Sequence, residues 1–391
     1  GSFGIEKASE TITLAGGTEV VTDLLTIGAT NVDAFVGLNG GKSNALGLAL
    51  GDVEFGLAVL TDTVDTSRKW TSLEANADSV EFVGVDGITL AADTLNVTIN
   101  RAAPDDSIVD YLADPLEILT GPETSLTLTM DGADGPLIRA SGNLQVSLFG
   151  FFSVEGSFGF EKSSTTLKLA DGTPVAMDMM TIGASHVDAF VGLNAGTADA
   201  FGLQLGDVGF ALALLTEKPG AQPGSSRKWT SLQASAGSAA FVGIDGLTVA
   251  ANTIDVKINR ANDGTDNVVD YGKQPLDVLV GPDETVRLAM DGSRGNLIEA
   301  SGALDINLFN FFSVQGEFAF VKQIETVALS SGEDVEVDLI TIGASGVDAF
   351  AGLNGGTPDQ LGLSLGQLDF ALALMTDRKD ASRKFTSLKA H

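Results

Sequence analysis

Few side chains in this sequence could carry acid–base, nucleophilic or metal chemistry. Among its 391 residues there is no cysteine, and the histidines are His186 and His391. Thiol nucleophiles, disulfide frameworks and Cys-based zinc sites are thereby excluded. His186 stands where two sibling segments carry Asn31 and Gly346, so it reads as a solvated loop residue. No Ser-His-Asp, His-Glu-x-x-His or phosphate-loop pattern occurs. The Gly-rich piece Asn39, Gly40, Gly41 lacks the strand and helix that would make it a phosphate cradle.

Carboxylates are what the sequence supplies. Asp33, Asp188 and Asp348 recur within Val-Asp-Ala-Phe, and Asp110 and Asp270 precede Tyr111 and Tyr271. Asp131, Asp134 and Asp291 lie in Asp-Gly turns. Asp105, Asp106, Asp263 and Asp266 cluster in a loop after a strand and are the candidate calcium ligands, because calcium takes oxygen donors. An EF-hand loop is missing, as is the nonapeptide of calcium-loaded β-rolls. Asp is also a favoured turn residue, so calcium and turn chemistry remain alternatives, and no cofactor is certain. The carboxyl pair of a glycosidase is a third use, although an identical pair in every repeat would be unusual for an enzyme.

One basic element returns three times: Arg68, Arg227 and Arg383, each followed by Lys and then Trp70, Trp229 or Phe385. These arginines could bind an acidic partner or a glycan beside the aromatic ring. The reading favoured here is structural, with the arginine paired to nearby acids and the ring in the core.

The elements that must position these groups follow from composition and pattern. With 52 acidic and 22 basic residues the formal charge is −30, yet 44% of residues are hydrophobic and mean hydropathy is +0.22. A disordered acidic tail would be poor in apolar residues, so a folded chain with a negative surface is expected. Nucleic acid is not an expected partner, since phosphate selects clustered positive charge. No run of 18 apolar residues predicts a transmembrane helix. The start lacks the pattern of a signal peptide and reads as a cut inside a longer chain.

Self-similarity is strong. Residues 1–7 return at 156–162 and, more loosely, at 316–322; Thr26 to Ala29 returns at Thr181 and Thr341. The expected organisation is repeat 1 at 1–155, repeat 2 at 156–315 and a partial repeat 3 at 316–391, part of a longer tandem array. Extra residues in repeat 2, between Thr216 and Arg227, are Gly- and Pro-rich and predict a surface loop.

Apolar residues alternate with period two, most clearly over 144–160, which predicts half-buried antiparallel strands, about eight to ten per repeat. That segment is too long for one flat strand, so a bend is expected at Gly150 or Gly156. Phe149, Phe151 and Phe152 put phenylalanine on both faces and predict a strand covered on both sides. The alternation slips by one at Gly51 and Asp52, and again between Leu365 and Leu368, which predicts a bulge or corner. Asp86-Gly87 and Asp245-Gly246 predict hairpins. The one helical candidate is 109–119 with its match at 269–279, limited to a turn or two by Pro115 and Pro275. The fold class is all-β: tandem repeats of antiparallel strands in an elongated solenoid-like or curled continuous sheet.

Near-identical long β repeats, absent Cys, few Lys and Asp/Gly-rich turns together resemble the tandem-repeat regions of giant bacterial adhesin-like surface or secreted proteins. That resemblance implies a non-catalytic structural or adhesive module, extracellular or on a bacterial cell surface, contacting neighbouring repeats and a surface or glycan ligand. The dense Asp-x-Asp signatures of calcium-loaded adhesins are absent. A second resemblance is to long β-groove lipid-transfer proteins, which implies a hydrophobic-ligand groove. A polysaccharide-active repeat enzyme is the third reading.

Overall fold

The computed structural model describes residues 1–218 and 227–391. The loop expected from the extra residues of repeat 2 lies mostly outside them. The strands run in three sets. The first is β1 Ser2–Thr13, β2 Glu19–Leu38, β3 Leu46–Asp62, β4 Lys69–Val83, β5 Ile88–Arg101, β6 Leu116–Leu119, β7 Ser125–Leu128 and β8 Leu137–Leu148. The second is β9 Phe152–Lys168, β10 Pro174–Leu193, β11 Phe201–Glu217, β12 Lys228–Val242, β13 Leu247–Ala261, β14 Leu276–Gly281, β15 Glu284–Leu288 and β16 Leu297–Leu308. The third is β17 Phe312–Ala328, β18 Asp334–Leu353, β19 Leu361–Asp377 and β20 Lys384–Ala390.

All the long strands join one 16-stranded antiparallel sheet, in chain order from β1 to β20. The short pairs β6–β7 and β14–β15 form separate hairpins. The all-β antiparallel expectation therefore holds. The solenoid form does not: each long strand pairs with its chain neighbours in a single meander, so no coil of stacked rungs exists. The pairing is open, with β1 and β20 at its two ends.

Residues 144–160 are not one bent strand. Phe149 and Gly150 both have positive φ, at 49° and 69°, and Phe151 N–H donates to the Leu148 carbonyl at 2.9 Å. That is a type I′ turn, the twist-matched hairpin connection. Phe309 and Asn310 repeat it. Alternation continues across such a hairpin because Leu148 and Phe152 are paired opposite each other, which is why the sequence reads as continuous. Phe149 and Phe151 lie at the exposed tip, so the covered-strand expectation fails. Residues 109–119 form a turn leading into β6, and no α-helix occurs among the described residues. The Asp131 and Asp291 turns are single 3₁₀ turns, each capped by that aspartate's carboxylate.

The phase slip is a line of bulges. Asn31, Asp52 and Thr94 take φ near +50°, as do His186, Asp207 and Thr253. Register shifts mark one extra residue at Asn31 and at Asp52. An extra residue restores the side-chain phase that the pattern loses. Leu46, Leu48 and Leu50 therefore stand on the same face as Val53, Phe55 and Leu57.

The opposite face is covered along half its width. After β5 the chain folds back as a cap over β1–β4, and Ile12, Leu24, Leu60 and Trp70 of the sheet bury against Val109, Tyr111, Ile118 and Leu128 of the cap. After β13 a second cap does the same, with Leu167, Met177, Leu215 and Trp229 against Val269, Tyr271, Val278 and Leu288. Burying each of these larger side chains contributes about 1.5–3 kcal/mol. The caps sit close because glycines lie beneath them. A Cβ on Gly4 or Gly28 would collide with the Leu119 carbonyl, and one on Gly159 or Gly183 with the Leu279 carbonyl.

Candidate functional site

Arg68 and Arg227 sit at the margins of the two caps, and Arg383 is their counterpart in the uncapped third strand set. Arg68 Nη1 lies 2.9 Å from Asp62 and its Nε 2.9 Å from Asp105. Arg227 grips Glu217 through Nε and Nη2, both at 2.9 Å, and Arg383 Nη1 lies 3.0 Å from Asp377. Each guanidinium lies over its neighbouring ring, 5.1 Å from Trp70, 5.3 Å from Trp229 and 5.9 Å from Phe385. Trp70 and Trp229 are buried core residues. These positions carry the geometry of a structural clamp.

The carboxylates singled out for calcium have protein donors. Asp105 accepts from Ser107 N–H and Oγ, and Asp263 accepts from Thr265 in the same way. These hydrogen bonds, with Arg68 or Arg227 nearby, hold both carboxyls below the usual carboxylate range, although partial burial opposes the shift. Asp266 accepts from Asn296 and pairs with Arg378. Asp106 supplies a left-handed turn residue. Among the described residues no three His, Cys, Asp or Glu side chains converge as a metal site.

Sequence reasoning missed a buried polar relay under each cap. Tyr111 Oη donates to Ser72 Oγ at 2.8 Å, Ser72 Oγ donates to Asn100 Oδ1 at 3.1 Å, and Asn100 Nδ2 donates to the Val109 carbonyl at 2.9 Å. Tyr271, Ser231, Asn259 and the Val269 carbonyl repeat it. Trp70 and Trp229 donate to the carbonyls of Ser107 and Asn267. Burial pushes both tyrosine hydroxyls up, against the Ser hydrogen bond that lowers them. The signal was present: the chain has two Trp and two Tyr, all at matching positions.

Between the caps runs a polar cleft of about 1010 Å³ lined by Asn96, Asp134, Arg139, Ser141 and Glu161 among others. Burial, with the Glu161 charge adding, raises the Asp134 carboxyl. Glu161 is paired to Arg139 at 2.9 Å. His186 is exposed, 3.9 Å from Glu284.

The largest feature is the sheet face away from the caps. Register and alternation place a continuous apolar row across it. Ile88 pairs with Leu148, Leu148 with Phe152, Phe152 with Val191, and Val191 with Leu203. The row goes on through Phe241, Val249, Ile306, Val314, Ala349 and Leu365. A second row starts at Phe3, Ala29, Phe55, Ala75 and Val97 and continues through Ala140, Phe160, Ile182, Leu212, Leu232, Ile258 and Ile298. Sixteen strands at about 4.8 Å spacing make the face roughly 70 Å long.

That face is uncovered. Val36, Leu90, Val191, Leu203, Val249 and Leu363 are all exposed, Val191 at 54% and Leu363 at 66%. The polar partners of the alternation, Asp33, Ser79, Asn143, Ser157 and Ser185, stand on the cap side, as the Asn143–Ser157 hydrogen bond and the Ser185–Glu284 bond to the second cap show. A soluble monomer rarely exposes a contiguous apolar patch beyond a few hundred Å².

No protein family profile and no curated protein matches the chain. A solved structure, that of Pseudomonas aeruginosa OccK10 (OpdN), aligns over 100% of this chain and 99% of its own at 9% identity, with a TM-score of 0.22. A likeness at that score carries no argument about fold or function. No helix among the described residues is long and apolar enough to cross a membrane.

Proposed function

We propose that this protein is a non-catalytic β-sheet module whose uncapped face binds hydrophobic ligands of the acyl-chain class. The single observation that carries this reading is the uninterrupted apolar row from Ile88 to Leu365. A row of that length without a polar side chain is costly to leave in water, at roughly 25 cal/mol per Å² of apolar surface. An extended hydrocarbon chain laid along it removes that surface from water and needs no hydrogen-bond partner from the protein.

The test is native mass spectrometry of purified protein before and after solvent extraction. Co-purifying hydrophobic mass that extraction removes supports the reading. Bare protein that also takes up no added neutral lipid would contradict it.

A second reading keeps the structural or adhesive surface array of tandem repeats. It draws support from the β8–β9 hairpin, which carries the sheet unbroken past residue 155, and from the matching strand sets on either side. The two readings are compatible, since a repeating sheet lengthens the same apolar face.

A further inference from the structure

The margin of the apolar face is marked by charge. Lys7, Lys69, Arg101, Lys162, Lys228, Arg260, Lys322 and Lys384 all alternate onto that face, near the ends of its lower rows. Their cross-strand partners show this: Lys162 stands opposite Ile138 and Met180, Arg260 opposite Thr230, and Lys322 opposite Ile298 and Ile340. All eight are exposed. Among the described residues none of them has an acidic partner within 4.0 Å, whereas Arg68, Arg227, Arg294 and Arg383 on the cap side all do.

Acids reach the same margin as well, Asp23, Asp178, Glu336 and Asp338 among them. Lys218 lies 3.7 Å from Asp178, and Arg378 lies 3.7 Å from Glu336 and 3.9 Å from Asp338.

The arrangement closes in at the third strand set. Arg260, Lys322 and Lys384 line one cleft of about 610 Å³ together with Ile298, Ile340 and Leu374. That volume falls in the range of small-molecule sites. The acids in the cleft wall, Asp266 and Asp338, both face Arg378.

Resting on the acyl-chain reading above, we infer that this margin selects anionic amphiphiles of the fatty-acid type, with the hydrocarbon on the apolar rows and the carboxylate at Arg260, Lys322 and Lys384. Hydrocarbon burial supplies affinity. The unpaired cations supply a fixed place for the head group through charge-assisted hydrogen bonds. They also give the ligand a polarity, head at the margin and tail toward the Phe152–Leu203 row.

The experiment compares oleate with oleyl alcohol, both below their aggregation limit, by isothermal titration of the full chain. The expected result is oleate binding about tenfold or more tighter than the alcohol, with the difference shrinking as salt screens the cations. R260Q, K322Q and K384Q combined are expected to bring oleate down to the alcohol's affinity and leave the alcohol unchanged. Equal affinity of the parent protein for both would overturn the inference while leaving the acyl-chain reading intact. Binding of neither would overturn that reading itself. Circular dichroism of the triple variant guards against misfolding, and K162Q with K228Q, outside the cleft, serves as the control expected to keep the preference.

Discussion

Gly183 lies directly beneath the carbonyl oxygen of Leu279, so close that a Cβ at this position would overlap it. The hairpin β14–β15 can cross β10 only because nothing projects from the sheet there. The equivalent Gly343 in β18 has no such neighbour, and the nearest atom to a Cβ is the Phe370 carbonyl oxygen at 3.7 Å. The two glycines share a sequence context, Thr-Ile-Gly-Ala, and differ in what covers them. Gly183→Val should therefore destabilise by about 1–3 kcal/mol through overpacking, whereas Gly343→Val should leave the melting temperature within error or raise it slightly by favouring strand backbone. Thermal melts of both variants check this, and equal losses would show that the glycine serves the strand rather than the cap.

The buried relay should be worth measuring separately. Tyr271→Phe removes the donor to Ser231 and should cost about 1–2 kcal/mol. Asn259→Leu leaves the Val269 carbonyl without its donor and the Ser231 hydroxyl without its acceptor, and should cost more, about 2–4 kcal/mol, because an orphaned buried group loses its hydration as well. Urea unfolding read through Trp229, whose indole N–H is bonded to the second cap, reports the loosening directly.

Acid should loosen the cap margins. Backbone N–H groups of Val64 and Asp65, with Arg68, hold the Asp62 carboxyl below its usual value, and Asp105 and Asp263 are shifted the same way. A lowered folded-state pKa means stability that is fully present above the unfolded value, near 3.9, and is lost as pH falls through the lower folded one. Stability should thus be flat from neutral pH to about 5 and fall below about 4. Glu74, raised by burial, works in the opposite sense and offsets part of the loss. Asp62→Asn should flatten the acid limb; an unchanged limb would place the acid sensitivity elsewhere.

Calcium should matter little to stability. Asp105 is satisfied by Ser107 and Arg68, and Asp263 by Thr265, so adding EDTA should leave the melting temperature unchanged. A fall of several degrees, restored by calcium, would mean that these loops rearrange around an ion.

The strands were legible because period two survives in almost every long segment, and the bulges were legible because Gly51 and Asp52 shift that period visibly. The hairpin at Phe149 and Gly150 was not, because three residues between the paired positions Leu148 and Phe152 preserve the alternation. The clamp of Arg68 on Trp70 follows from residue types alone. Which face the caps would cover does not, since the cap-side core residues and the open-face residues are both rich in Leu, Ile and Val. The cations of the open margin were visible as a repeated Lys at 7, 162 and 322, but only the register shows that they share one face with the apolar rows.

Photo-cross-linking with a neutral diazirine-bearing acyl probe, mapped by peptide mass spectrometry, tests the central claim most directly. The account predicts labels concentrated on Phe152, Val191, Leu203, Val249 and Ile306, with Trp70, Trp229 and the caps unlabelled. Labels confined to the exposed tips at Phe149 and Phe309, or spread evenly over both faces, would contradict it.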